Sequence, residues 1–176
     1  LPPLTLREYV TYTIFFPAYT AGPIDRAERF APDLRDLPGP QPDRLTQGGA
    51  RIAVGIAKKF IVADSLALFA LNAQTATQAD STGAMWLLLY AYTFQIYFDF
   101  SGYTDIAIGI GQLYGIRLPE NFNRPYLRRN ITLFWQSWHI TLSNWARFYV
   151  FTPLSRSLLR GKRRPPATVI VLIGHL

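Results

Sequence analysis

"GAMWLLLYAYTFQIYFDFSGYTDIAIGIGQLYGI", residues 83–116, has Asp99 and Asp105 as its only charged side chains. As one helix it would be about 50 Å long, against a hydrocarbon core of about 30 Å. The run is therefore expected to break, and Phe100, Ser101 and Gly102 are the natural place. Gly111 and Gly115 form a GxxxG pair that would let two helices approach closely. The resemblance of "GIGQLYG" to a dinucleotide loop fails on glycine spacing and on the lack of a preceding strand. Ionised at mid-membrane, each aspartate would cost a few kcal/mol. Each must be protonated, paired with an arginine such as Arg124 or Arg147, or placed near water. An ion pair holding a broken helix and a proton or substrate path both remain open.

The rest of the chain has the same bias. Of 176 residues, 49% are hydrophobic, 15% aromatic and 16% charged, well under the roughly 25% charged residues of an average soluble domain. The apolar residues come in runs, which points to a bilayer. The net charge of +7 sits in clusters beside those runs rather than along one polar face. That pattern suits anionic lipid headgroups and excludes a nucleic-acid partner. The absence of cysteine removes disulfides, thiolate metal sites and a cysteine acyl-enzyme from this stretch. The chain opens on Leu1-Pro2-Pro3 and stops inside the apolar run "ATVIVLIGHL", so it reads as a piece of a larger membrane protein, truncated at both ends.

Residues 9–24 suggest a short or broken membrane helix interrupted by Pro17 and Pro23. Residues 25–49, rich in proline and in charges of both signs, read as a surface loop with room for a short helix around Arg26 to Phe30. Residues 50–73 are apolar around Lys58 and Lys59. Two lysines at the bilayer centre would cost roughly 5 to 7 kcal/mol, so the pair is expected at the interface. Residues 117–130 form a polar, basic connector.

The stretch "FWQSWHITLSNWARFYVF", residues 134–151, has cationic clusters on both sides: Arg128 and Arg129 before it, Arg156 to Arg164 after it. Basic flanks usually stay cytoplasmic, so residues 131–154 are expected to enter the membrane without crossing it, or to lie along its inner interface. Irregular backbone at that depth is tolerated where it lines a cavity. On a helix, His139 would share its face with Trp135, Gln136, Leu142, Ser143 and Ala146. Apolar surroundings would keep the ring a neutral base near pH 7; a core histidine bonded to a carbonyl is the other reading. Trp135, Trp138 and Trp145 fit an interfacial belt or the wall of an acyl-chain tunnel. His175, in the last apolar run, reads as a packing residue. Two distant histidines without cysteine make no metal site, and no serine lies in a nucleophile-elbow pattern.

Four segments carry a resemblance: "FFPAYTAGPI", "GIAKKFIVADSLA", "YFDFSGYTDIAIGIGQLYGIRLPENFNRPYL" and "NITLFWQSWHITLSNWARFYVFTPL". In this order, over nearly the whole chain, they resemble the membrane-bound O-acyltransferase family, in its alginate O-acetyltransferase-like branch. The resemblance implies an all-α fold: a polytopic helical membrane protein, here one partial domain over 1–176, with broken or re-entrant helices around a substrate passage. It implies transfer of an acyl group, acetyl above all, from a cytoplasmic thioester to hydroxyls of an exported polysaccharide. The donor would be acetyl-CoA or an acyl carrier protein, used as substrate, with no tightly bound cofactor. A bacterial inner-membrane location and accessory envelope acetylation proteins go with that. Trp138-His139-Ile140-Thr141-Leu142-Ser143 matches the family's first histidine segment. His139 is thus the catalytic candidate, orienting substrate or relaying a proton. Trp138, Ser143, Asn144, Arg147, Asp99, Asn123 and Arg124 are the substrate-binding candidates. The family's second histidine, in a Trp-His-Gly motif, has no match here, and His175 does not take its role. A non-enzymatic export partner for a cell-envelope polymer, using Asp99 and Asp105 along a pathway, is the alternative.

Overall fold

The computed structural model describes residues 3–39 and 41–160. Every regular element among them is helical. The chain divides into two compact units, Leu1–Pro119 and Glu120–Leu176.

The first unit opens with α1 (Leu6–Thr13). Thr5 caps it by accepting from Glu8 N–H at 3.3 Å, while the Glu8 carboxylate accepts from Thr5 N–H at 2.7 Å; the reciprocal pair satisfies two otherwise orphaned amides. The short α2 (Phe16–Tyr19) leads to α3 (Ala27–Arg35) and α4 (Pro42–Ile56). The latter two occupy much of the 25–49 stretch expected to be loop. Pro42 lies in the first turn of α4, where its missing N–H is no loss and its fixed φ suits a helix start. α3 is anchored by the face bearing Phe30, Ala31 and Asp33, all buried. Helix α4 runs on through a π-helical stretch (Ala57–Ala63) into α5 (Asp64–Ala67), followed by α6 (Ala73–Gln78) and α7 (Thr82–Leu113).

Helix α7 spans residues 82 to 113 without the expected break. A mid-helix glycine costs only about 1 kcal/mol relative to alanine, and Gly102 has a packing use that offsets this. A Cβ at Gly102 would lie 2.7 Å from the Gly55 carbonyl oxygen, and one at Gly55 would lie 2.6 Å from that of Gly102. One turn pair further along, Gly48 and Gly109 approach in the same way, at 2.9 and 2.8 Å. The close helix contact therefore uses glycines seven apart on each helix, 48 and 55 against 102 and 109, and not the Gly111–Gly115 pair. Gly115 instead ends α7. At φ +80° it takes the left-handed position, with Gly115 N–H on Gln112 O at 3.0 Å and Ile116 N–H on Gly111 O at 2.8 Å, the two bonds of a Schellman motif.

The aspartates of α7 are ion-paired, with partners other than the arginines expected. Asp105 accepts from Arg51 at 3.0 Å and from Lys58 at 2.6 Å, and Asp99 pairs with Lys59. The π-helical stretch that carries both lysines directs successive side chains to α7. Lys58 and Lys59 thus lie against α7, partly buried, with their charges balanced by its two aspartates. The core of this unit is formed by Phe30, Ala107, Ile108, Ile116 and Leu118, with Tyr12, Phe15, Leu34 and Tyr103 packed on it. Asp33 ties α3 to the exit from α7. Its carboxylate accepts from Arg117 N–H at 2.9 Å and from the Arg117 guanidinium at 2.5 Å.

No described helix is both long enough and apolar enough to cross a membrane. Helix α7 has the length, about 48 Å at 1.5 Å per residue. Its tyrosines, Gln95, Asp99 and Asp105 dilute its hydropathy. The all-helical expectation thus holds, while the spanning helices expected with it are not among the described residues.

Candidate active site

In the second unit the loop before α8 forms the site's floor. Asn121 is wholly buried, at 0% exposure. Its Oδ1 accepts from Thr141 Oγ1 at 2.6 Å and from Thr141 N–H at 3.4 Å, and its main-chain oxygen accepts from Ile140 N–H at 2.9 Å. Two residues on, Asn123 N–H donates to Ser137 O at 3.0 Å. The Asn123 carbonyl in turn accepts from the Arg128 guanidinium at 2.7 and 3.2 Å. Residues 121–123 are thereby stitched to 137–141 through main-chain groups.

Those bonds explain why 131–154 is not one helix. Helix α8 (Ile131–Trp135) starts on Asn130, whose Oδ1 accepts from Leu133 N–H at 2.8 Å. It then gives way to a turn. Helix α9 (Ile140–Ala146) continues through a π-helical stretch (Arg147–Phe151) into α10 (Thr152–Arg160). Within a single helix Ser137 O and Ile140 N–H would bond along the axis; here Asn123 and Asn121 take them.

His139 sits at that junction, as the residue that precedes the first turn of α9, with φ 44° and ψ 53°. The expected helical face therefore does not form: Trp135 and Gln136 belong to the turn before it. Leu142, Ser143 and Ala146 follow on α9, with Ser143 N–H donating to His139 O at 3.2 Å. A left-handed non-glycine residue costs about 1 to 3 kcal/mol and persists only where its surroundings over-determine it. Among the described residues, the non-glycine positions with positive φ are Arg124 and His139, and both were site candidates from the sequence. His139 is half-buried. Loss of water around the ring holds it below the usual histidine range, which favours a neutral imidazole.

Trp138 is anchored by aromatic contacts. Phe122 meets it edge-on at 5.1 Å, Tyr126 at 6.0 Å, and Phe134 stacks on it at 5.6 Å. It thus differs from Trp135 and Trp145, which are 57% and 44% exposed. Asn123 and Arg124 are exposed on the loop, Ser143 and Asn144 on α9, and Arg147 at the head of the π-helical stretch. The second unit therefore gathers His139, Trp138, Asn123, Arg124 and Ser143 on segments that hydrogen-bond to one another. Asn144 and Arg147 follow along the next turns. Asp99 belongs to the first unit and is engaged by Lys59. His175 and the basic residues beyond Arg160 lie outside the described residues. Reasoning from sequence missed Asn121 and Thr141, both buried. The available signal was Phe122, Pro125 and Tyr126 inside an otherwise polar connector.

What such a site can do chemically is limited and definite. A neutral imidazole can accept a proton from a hydroxyl or hydrogen-bond a substrate oxygen. Exposed Arg124, Arg128 and Arg129 can attract an anion. Comparison with known proteins narrows this further. Residues 3–172 match the model of the membrane-bound O-acyltransferase family. The chain is 41% identical over 153 residues to the probable alginate O-acetylase AlgI of Pseudomonas aeruginosa, covering 85% of this chain and 28% of that protein. It is 36% identical over 168 residues to a teichoic acid D-alanyltransferase of Streptococcus thermophilus, covering 92% and 40%. To a peptidoglycan O-acetyltransferase of Helicobacter pylori it is 40% identical over 150 residues, covering 84% and 28%. The chain thus spans between 28% and 40% of the length of these relatives.

Proposed function

The chain belongs to the membrane-bound O-acyltransferase family, and from that premise we propose that it is part of a polytopic inner-membrane enzyme of acyl transfer. The enzyme moves an acyl group, acetyl above all, from a cytoplasmic thioester to hydroxyls of an exported cell-envelope polysaccharide. Relatives whose names specify alginate, peptidoglycan and teichoic acid support a polymeric acceptor outside the cell. Exposed apolar side chains such as Leu68, Leu87, Ile61 and Phe69 support a lipid setting. Segment 131–154, broken at His139 and flanked by arginines, is the re-entrant part beside the substrate passage.

The observation that carries the reading is His139 itself: half-buried, held in a left-handed turn and biased toward its neutral form. In the transfer step the acceptor oxygen attacks the thioester carbonyl and loses its proton, while the thiolate leaves. His139 holds the acceptor or relays that proton, Trp138 walls the acyl group, and Ser143 and Asn144 offer hydrogen bonds. Arg124 and Arg147 draw in the anionic donor, acetyl-CoA or an acylated carrier protein, and accessory envelope proteins receive or present the polymer. The export-partner reading relied on Asp99 and Asp105. Both carboxylates are ion-paired, and no observation favours it.

The test is His139→Ala in the full-length protein, with base-labile acyl esters on the cell-envelope polymer as the readout. We expect loss of most ester at unchanged membrane abundance. Ester at the parental level would remove His139 from the site.

A further inference from the structure

Helix α9 begins without help from its own N-terminal residue: His139 makes no side-chain capping bond. The first amides of a helix have no intrahelical partner and need one. Here both of the leading ones are answered from another segment. Ile140 N–H reaches the Asn121 carbonyl at 2.9 Å, and Thr141 N–H reaches Asn121 Oδ1 at 3.4 Å. The Thr141 hydroxyl reinforces the same Oδ1 at 2.6 Å. We propose that Asn121 is a positioning residue for acyl transfer: capping α9 in trans, it sets the left-handed turn at His139 and so aims the imidazole.

Three features support this over a purely packing role. Asn121 is fully buried although it is polar, and its partner Thr141 is buried with it at 4%; such a pair is tolerated only when its hydrogen bonds are made. The bonds fall on the two residues immediately after His139, not on a distant part of the helix. The neighbouring bond from Asn123 N–H to Ser137 O at 3.0 Å fixes the chain two residues before His139. The imidazole is thus clamped from both sides by one short loop.

The inference rests on the functional reading above, and the experiment separates the two. Full-length protein carrying Asn121→Ala, Thr141→Val, His139→Ala and the two double variants with His139→Ala is purified in detergent for amide exchange over residues 136–146. The same variants are assayed in cells for base-labile acyl ester. Asn121→Ala keeps the main-chain carbonyl on Ile140 N–H and removes Oδ1 from Thr141, so it is expected to speed exchange at 141 at least ten-fold, with a smaller effect at 140, and to lower ester about ten-fold. Thr141→Val keeps the amide bond, so its losses should be several-fold smaller; it also serves if Asn121→Ala does not accumulate. In the His139→Ala background neither change should lower the residual ester further, because Asn121 acts through a ring already removed. Unchanged exchange or ester in Asn121→Ala overturns the proposal, as do losses that multiply with that of His139→Ala. Full ester in His139→Ala with exchange still accelerated by Asn121→Ala would overturn the functional reading and leave the trans cap standing.

Discussion

The contact between α4 and α7 offers a sharp test, because two glycines, Gly102 at the contact and Gly49 away from it, lead to opposite expectations. At Gly102 an added Cβ meets Gly55 O at 2.7 Å and Lys59 N at 2.9 Å. Both obstacles are backbone and cannot rotate away. Ordinary contact needs about 3.4 Å, so the helices must part locally by about 0.7 Å. Overpacking of this kind costs about 1 to 3 kcal/mol, and the shift also loosens the Lys59–Asp99 and Lys58–Asp105 pairs. Better helix propensity returns about 1 kcal/mol. The two loosened, partly exposed ion pairs add a loss of about 1 kcal/mol together, so the net expectation for Gly102→Ala is a loss of about 1 to 3 kcal/mol. Gly49, on the outer face of α4, has nothing within 4 Å of an added Cβ. Gly49→Ala should therefore gain up to about 1 kcal/mol. Denaturant titration of the two full-length variants, followed by tryptophan fluorescence, reads the difference. Equal midpoints, or a Gly102→Ala variant more stable than the parent, would refute the close crossing.

Asp105→Asn should destabilise the first unit by about 2 to 3 kcal/mol in the same titration. It strands Arg51 and Lys58, whose side chains are only 25% and 30% exposed, after discounting for that residual exposure; Asp99, at 49%, should matter less. The pH dependence of ester transfer should follow His139. Burial lowers its pKa from 6.5, so the neutral ring persists, and transfer should stay near maximal, below pH 6.5 before falling. Its contribution to stability has the matching sign: the unfolded chain takes up a proton as pH drops past 6.5 before the folded one does, so the fold weakens on the acid side. Half-loss of transfer above pH 6.5 would contradict the burial of the ring.

Much of this protein is written in residue patterns alone. Sparse charge and apolar runs point to a bilayer and so favour helices, because burial of such runs there requires backbone bonds to be closed within each segment, and the family resemblance implies the all-α fold that the described residues show. The local sequence around Trp138 and His139 likewise singles out the candidate site, since a polar, proton-binding group in so apolar a setting is rarely idle. Local signals were silent or misleading on whatever depends on a partner segment. Ser101 and Gly102 look like a break in isolation, yet Gly102 is a point at which α4 closes against α7. The partners of Lys58 and Lys59 could not be read locally either, since Asp99 and Asp105 lie some forty residues away. His139 reads as a helical residue until Asn121 and Asn123, from a loop that seemed only a connector, claim the amide and carbonyl a helix would have used. Tertiary structure decided these points because hydrogen bonds and ion pairs between distant segments compete directly with those within a segment, and pairwise geometry has no signature in either strand of sequence taken by itself.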